Sequence, residues 1–123
     1  MSTRVGFIGL GNIGKWMALR VARAGFPLTV YDIRPEPLRE LAAAGAHTAS
    51  SSREVAADCD VLVIMVLNHA QAQDVMLGKD GALKGLRADA TVVVTSTISP
   101  SQTRHLATTV DSVGGRYLDC PVS

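Results

Sequence analysis

Short apolar runs alternate with longer amphipathic stretches along the whole chain. Residues 61–67 and 91–95 are continuous runs rich in β-branched side chains, which are typical of strands buried on both faces. Between such runs, apolar residues recur at helical spacing, as Ile13, Met17 and Val21 do. The pattern predicts strands near residues 5–8, 28–32, 46–48, 61–67, 91–95 and 116–119, and helices after the glycine-rich turn at 9–14 and over 35–44, 50–56, 68–77 and 100–110.

This regular alternation of strands and helices sets the expected architecture. Consecutive parallel strands need a crossover connection, and such connections are right-handed. When the chain winds first toward one edge of an open sheet and then toward the other, its helices cover both faces. We therefore predict an α/β fold, a Rossmann-type doubly wound parallel sheet with three layers. At 123 residues and 12.9 kDa the chain has the size of one domain, which we assign to residues 1–123.

The first predicted strand runs directly into a glycine pattern, Gly9, Gly11 and Gly14, that opens a helix. This order is typical of the strand, turn and helix that bind a nucleotide. The first glycine permits a tight turn, the second lets the backbone approach a pyrophosphate, and the third leaves room for the helix to pack on its strand. Since GxGxxG alone is a weak signal in a chain with 11 glycines, the flanking strand and helix decide the prediction.

A carboxylate at the end of the second predicted strand supports the same interpretation. Asp32 lies 21 positions after Gly11, close to the spacing of about 20 residues at which an acidic side chain binds the adenosine ribose. The alternative is a turn residue or a helix cap before Pro35. A carboxylate repels a 2′-phosphate, so we predict NAD as the cofactor. Arg34 keeps NADP possible, because a guanidinium can pair with that phosphate.

A rival motif shares the same residues. Gly9, Gly14 and Lys15 match most of a phosphate-binding P-loop, but Trp16 stands where a Ser or Thr must bind magnesium. Because indole offers no oxygen ligand, we exclude that motif. We then expect Lys15 to be a solvated helix residue and Trp16 to be a packing residue.

Ligands of open α/β sheets bind beyond the carboxyl ends of the strands. Residues 68–71 follow the fourth predicted strand and Thr97 follows the fifth, so both segments are expected at the cofactor cleft. Thr97 can offer its hydroxyl to a nicotinamide or ribose. A role at the start of the helix before Pro100 is nearly as well supported by its spacing.

Composition narrows the classes of function. Twelve basic against 11 acidic residues give a net charge of +1, and aromatic residues make up 4% of the chain, so neither nucleic acid nor a membrane surface is an expected partner. The longest apolar run, residues 61–67, is far shorter than the roughly 20 residues that span a bilayer. Cys59 and Cys120 lack the spacing of a metal or redox pair, so we predict reduced thiols, no metal site and a cytoplasmic protein.

The chain resembles the β-hydroxyacid dehydrogenase family, whose members include 3-hydroxyisobutyrate dehydrogenase, tartronate semialdehyde reductase and L-threonate dehydrogenase. The resemblance runs essentially from end to end and rests on three ordered motifs. These are Gly9-Leu-Gly-Asn-Ile-Gly14-x-x-Met17-Ala, Thr95-Ser-Thr97-Ile-Ser-Pro100 and Asp119-Cys-Pro-Val-Ser123. The stretch Val66-Leu67-Asn68 departs from the family, since many members carry Leu-Pro there.

The resemblance implies a site and a reaction. Hydride passes between a nicotinamide cofactor and a small 3-hydroxy acid or its semialdehyde or keto form. The implied cofactor-binding residues are Gly9, Leu10, Gly11, Asn12, Ile13, Gly14, Asp32, Val66, Leu67, Asn68, Gln71 and Thr97, and the implied substrate-binding residue is Ser123. Ser123 is otherwise a frayed terminal residue.

The resemblance also implies parts that this sequence does not contain. The family's catalytic lysine lies on a helix beyond residue 123, so we assign no catalytic residue here and expect the 123-residue chain alone to bind NAD without turnover. A helical substrate and dimerisation domain is expected to complete the enzyme as a homo-oligomer. Two alternatives stay open: a stand-alone dinucleotide-sensing module without catalysis, and an NADP-dependent imine reductase.

Overall fold

A computed structural model describes residues 3–95 and 99–120. Within these residues, six parallel strands form one sheet: β1 (Val5–Ile8), β2 (Leu28–Tyr31), β3 (His47–Thr48), β4 (Val61–Ile64), β5 (Thr91–Val94) and β6 (Arg116–Asp119). The helices are α1 (Asn12–Arg23), α2 (Pro35–Ala43), α3 (Ser52–Ala57), α4 (His69–Leu77) and α5 (Pro100–Asp111), with a short 3-10 helix at Ala82–Lys84.

The strand order is β3-β2-β1-β4-β5-β6, so the chain winds outward from β1 in one direction and then from β4 in the other. Two cores flank the sheet. One lies under α1 and α2 and includes Phe7, Leu19 and Leu41; the other lies under the remaining helices and includes Ile64 and Met76. The predicted three-layer, doubly wound fold is therefore confirmed. In such a sheet the ligand crevice forms where the order reverses, between β1 and β4.

β4, which lies next to β1 where the strand order reverses, is shorter than the sequence predicts. β4 ends at Ile64 rather than at residue 67, because its partner β1 ends at Ile8 and the chain turns away at Gly9. The Met65 amide makes a last hydrogen bond to the Ile8 carbonyl at 2.9 Å, and Leu67 is 86% exposed. The apolar run thus leaves the sheet and enters the loop at its carboxyl edge.

The buried face of α1 is rotated from the predicted stripe. Ile13 is 55% exposed, whereas Ala18 and Leu19 are buried, and Met17 and Val21 only border the core. α1 approaches the turn closely at Gly14, where a Cβ would collide with the Gly9 carbonyl, and this contact fixes which side of the helix faces the sheet. Hydrophobic periodicity locates the helix, but its rotation depends on this packing.

The predictions for Lys15 and Trp16 are wrong. Trp16 is 58% exposed, with the Lys15 ammonium 5.2 Å from its ring centroid. Lys15 is 25% exposed and forms an ion pair with Glu40 on α2 at 3.0 Å. Lysine can bury its alkyl stem while its charge stays at the surface, so this side chain joins α1 to α2 instead of extending into solvent.

Candidate functional site

An open cleft of about 910 Å³ lies at the carboxyl edge of the sheet. Its walls come from the loops after β1, β2 and β4 and from the first turns of α4, so it lies at the reversal of strand order. Eight of the residues predicted for the cofactor line it: Gly9, Gly11, Ile13, Gly14, Asp32, Val66, Leu67 and Gln71.

Two of the three glycines are required by the protein's own backbone. Gly9 has φ of +96°, and a Cβ there would collide with the Met65 carbonyl. A Cβ on Gly14 would collide with the Gly9 carbonyl. These two residues allow β1, the turn and α1 to pack closely at the floor of the cleft.

Gly11 differs from the other two glycines. A Cβ built there would have no atom within 4 Å, so the space beside this residue is open. Gly11 is also the N-cap residue of α1 and has no side chain to cap the helix. The first amides of a helix lack intrahelical partners and carry the positive end of its dipole. Open space beside a helix N-terminus that no side chain caps is the arrangement that binds a phosphate.

The Asp32 carboxylate is tied to the turn. One oxygen accepts a 2.6 Å hydrogen bond from the Leu10 amide, and the other accepts a 2.9 Å hydrogen bond from the Arg34 amide. The Arg34 Nε lies 3.4 Å from this second oxygen, and the Asp32 side chain is 9% exposed. The carboxylate borders the cleft in a fixed orientation, so the predicted proximity of Asp32 to the glycine turn is present in the fold.

Leu10, one of the predicted cofactor-binding residues, has its side chain in the protein core. Its side chain is 1% exposed in the core under α1 and α2, and its carbonyl accepts a 3.1 Å hydrogen bond from Arg34. Leu10 also borders a second, smaller cavity of about 120 Å³ next to the cleft. That cavity is lined by two cations, Lys15 and Arg34, and by the acidic residues Glu36 and Glu40.

Asn68 and Gln71 organise the start of α4. The Asn68 side chain accepts a 2.9 Å hydrogen bond from the Gln71 amide and thereby caps the helix. The Gln71 side chain in turn accepts a 2.7 Å hydrogen bond from the Leu67 amide. Gln71 borders the cleft, whereas Asn68 is not among the lining residues. The structure gives Asn68 a capping role, which its position just before a helix could have suggested.

Asn12, Thr97 and Ser123 are the remaining predicted site residues. Asn12 is the first residue of α1. Thr97 and Ser123 lie outside the described residues. Thr95, two positions before Thr97 in the sequence, borders the cleft and donates a 3.3 Å hydrogen bond from its hydroxyl to the Ile64 carbonyl.

The cleft has an apolar wall that was not predicted from the sequence. Ile33 follows Asp32 at the end of β2 and is 88% exposed, and Ala70 and Val75 line the opposite side from α4. Together with Leu67 they give the cleft a mostly apolar surface. The sequence contained one indication for Ile33: this apolar residue belongs neither to the core of a predicted strand nor to the apolar face of a predicted helix.

The remaining chemistry of the described residues is limited. Burial, with a smaller contribution from the charges of Asp60 and Asp58, raises the pKa of the Cys59 thiol to about 12, so this thiol stays protonated and unreactive at neutral pH. Cys120 is exposed.

No group of three His, Cys, Asp or Glu side chains within residues 3–95 and 99–120 is placed to hold a metal ion. In the same part of the chain, every helix is too short or too polar to cross a membrane.

The sequence model for the NAD-binding domain of 6-phosphogluconate dehydrogenase matches residues 4–123. The chain belongs to this family. This NAD-binding domain is 40% identical over 121 residues to mouse mitochondrial 3-hydroxyisobutyrate dehydrogenase, with 98% of the chain and 36% of the relative covered. It is 41% identical over 120 residues to 2-hydroxy-3-oxopropionate reductase from Escherichia coli, with 98% and 41% covered. The resemblance to β-hydroxyacid dehydrogenases is thus confirmed.

Solved structures agree with the fold of this NAD-binding domain. 3-Hydroxyisobutyrate dehydrogenase from Mycobacterium tuberculosis, solved with L-serine, superposes with a TM-score of 0.91 at 30% identity, covering 100% of the chain and 41% of that structure. An imine reductase from Myxococcus stipitatus in complex with NADP+ gives 0.86 at 25% identity, covering 94% and 39%. The chain therefore spans about two fifths of the length of the proteins it matches.

Proposed function

We propose that the cleft binds NAD with the diphosphate at the open face of Gly11. One observation supports this proposal above all others. Gly11 has open space beside it and is also the N-cap residue of α1, which no side chain caps. Gly9 and Gly14 keep the turn close to the sheet, so the first amides of α1 face the ligand. The apolar side chains of Ile33 and Leu67, which line the cleft, suit the faces of an adenine ring.

Asp32 supports a preference for NAD over NADP. Its carboxylate is held by the Leu10 amide at 2.6 Å and cannot turn away without breaking that bond. A 2′-phosphate on the adenosine ribose would meet this negative charge, whereas the two hydroxyls of NAD can donate to it. Lys15 stands beside the neighbouring small cavity, so we propose that NADP binds more weakly and is not excluded.

For the whole protein we propose hydride transfer between the nicotinamide and a small 3-hydroxy acid or its oxidised form. The relatives named above support this reaction, and the nicotinamide supplies the hydride chemistry when it is bound. In this chain the described residues bind and orient the cofactor. We propose residues 1–123 as the cofactor domain and a second domain that supplies the general acid or base.

The sheet surface is compatible with such a second domain. Leu118 on β6 is 54% exposed. The strand register aligns Leu118 with Val93 on β5 and Val63 on β4. Leu118 therefore lies on the same face of the sheet as the core under α1 and α2. We propose that the further domain packs here, and that the complete protein is a homo-oligomer. A cytoplasmic location stays a prediction that cell fractionation tests, since the mouse relative is named as mitochondrial.

Calorimetric titration of the chain with NAD and with NADP tests the proposal. We expect NAD to bind more tightly, and Asp32→Ala to weaken NAD binding while the ratio of NADP to NAD affinity rises. Asp111→Ala is the matched control, because this exposed carboxylate ends α5 at the opposite edge of the sheet. Failure of the wild-type chain to bind either dinucleotide would exclude the proposed site. An unchanged affinity ratio in Asp32→Ala would exclude the role of that carboxylate.

A turnover assay separates the open alternatives. The isolated chain is expected to show no hydroxyacid oxidation, and the full-length protein is expected to oxidise a small 3-hydroxy acid with NAD. Turnover of a cyclic imine with NADP in place of the hydroxyacid would favour the imine reductase. NAD binding without any turnover by the full-length protein would favour the sensing module.

A further inference from the structure

We propose that Arg34 is a positioning residue for the glycine turn, and that it acts together with Asp32. The two side chains bracket the backbone of Leu10 from the end of β2. We refer to Asp32, Arg34 and Leu10 as the turn bracket. This inference rests on the proposed function only in that the turn is taken to be the dinucleotide site.

The turn bracket occupies both polar backbone atoms of Leu10. The amide of Leu10 donates to Asp32 at 2.6 Å, and the carbonyl of Leu10 accepts from the Arg34 Nη2 at 3.1 Å. Arg34 also contacts the Asp32 carboxylate through its amide at 2.9 Å and its Nε at 3.4 Å. Two charged side chains from one segment thereby hold a single residue of a neighbouring loop.

The position of Leu10 explains what this arrangement achieves. Leu10 lies between the two glycines that shape the turn, where a backbone rich in glycine loses the most conformational freedom on ordering. Its side chain is fixed in the core, and the turn bracket fixes its peptide groups. The amides at the start of α1 are then already oriented, so the cofactor does not have to order them on binding.

The same geometry argues against Arg34 as a selective reader of a 2′-phosphate. Its Nε and one terminal nitrogen are already used within the protein, on a carboxylate and on a carbonyl. A phosphate reader would affect NADP binding alone. A positioning residue affects the turn, and therefore affects NAD and NADP binding by the same factor.

The test compares Arg34→Met and Arg34→Lys with the control Arg39→Met, which removes an exposed arginine on α2. Titration calorimetry gives the affinities for NAD and NADP, and NMR hydrogen exchange gives the protection of the Leu10 amide in the free chain. For Arg34→Met we expect both affinities to fall by a similar factor, about 5- to 20-fold for a partly exposed charged hydrogen bond. We also expect faster exchange at Leu10.

Arg34→Lys adds a second, milder variant. A single ammonium cannot span the Leu10 carbonyl and the Asp32 carboxylate as the guanidinium fork does, so we expect only partial recovery of both affinities. The control Arg39→Met should match the wild type in affinity and in exchange.

The outcomes separate this inference from the proposed function. Loss of NADP affinity alone, or unchanged exchange at Leu10 in Arg34→Met, would overturn the positioning role while dinucleotide binding stands. If the wild-type chain binds neither dinucleotide but Arg34→Met still exposes the Leu10 amide, the proposed function fails and the turn bracket stands.

Discussion

Gly11 and Gly14 are three residues apart, yet alanine at each should have opposite consequences. Alanine at Gly11 meets no protein atom within 4 Å and adopts φ of −68° and ψ of −169° without strain. Alanine at Gly14 collides with the Gly9 carbonyl. We therefore expect Gly11→Ala to lose cofactor affinity with its stability kept, and Gly14→Ala to lose stability.

The magnitudes follow from these surroundings. At Gly11, alanine is a poorer N-cap by about 0.5–1 kcal/mol, and the lower entropy of the unfolded chain offsets about 0.4–1 kcal/mol, so the free energy of unfolding should change by less than about 1 kcal/mol. At Gly14, overpacking costs about 1–3 kcal/mol or more, and better helix propensity offsets about 1 kcal/mol. Because the amide of the opposing Gly9 is bonded to the Tyr31 carbonyl at 3.1 Å and the Met65 carbonyl lies close to Gly9, we expect a net loss of about 2 kcal/mol.

Urea denaturation and calorimetric titration with NAD measure the two effects separately. A methyl group on the open side of Gly11 stands where the diphosphate is proposed to lie, and we expect at least a tenfold loss of affinity, about 1.4 kcal/mol. Retention of wild-type affinity by a folded Gly11→Ala chain would refute the proposed position of the diphosphate. A Gly14→Ala chain as stable as the wild type would refute the packing argument.

Burial makes three further outcomes testable elsewhere in the domain. Iodoacetamide at pH 8 should modify exposed Cys120 and spare Cys59 until the chain unfolds, and equal modification of both thiols in the folded chain, read by peptide mass spectrometry, would contradict the burial of Cys59. Leu41→Ala should lower the free energy of unfolding by about 2–5 kcal/mol, whereas Leu77→Ala, at a 42% exposed position, should lower it by less than about 1 kcal/mol in urea denaturation. Burial raises the pKa of Cys59 and of Tyr117 to about 12, so the folded chain keeps protons that the unfolded chain releases, and stability should fall between about pH 9 and 12. Cys59→Ala should flatten that fall, and a rise in stability over this range would contradict the burial of both groups.

The features predicted well from the sequence are those set by local chemistry. Gly9 has a positive φ that disfavours any side chain, and its place between strand and helix can be read from the residues on either side. The spacing of Gly11 and Asp32 spans one helix, α1, and one strand, β2, so it predicts that the turn and the carboxylate lie together. Parallel order follows from the alternation of elements.

The features that the sequence analysis missed depend on partners distant along the chain. The end of β4 is set by the turn at Gly9, and the partner of Lys15 lies on a different helix at Glu40. Ile33 is an exposed apolar residue, and only the fold shows that it borders the cleft. Periodicity carries no information about such pairings, because they arise from the crossing of elements in three dimensions.

The most direct test of the central claim is a crystal structure of this chain soaked with NAD. We expect the diphosphate oxygens within hydrogen-bond distance, about 3 Å, of the amides that begin α1, beside Gly11. Dinucleotide bound away from this turn, with the open side of Gly11 facing only solvent, would contradict the account.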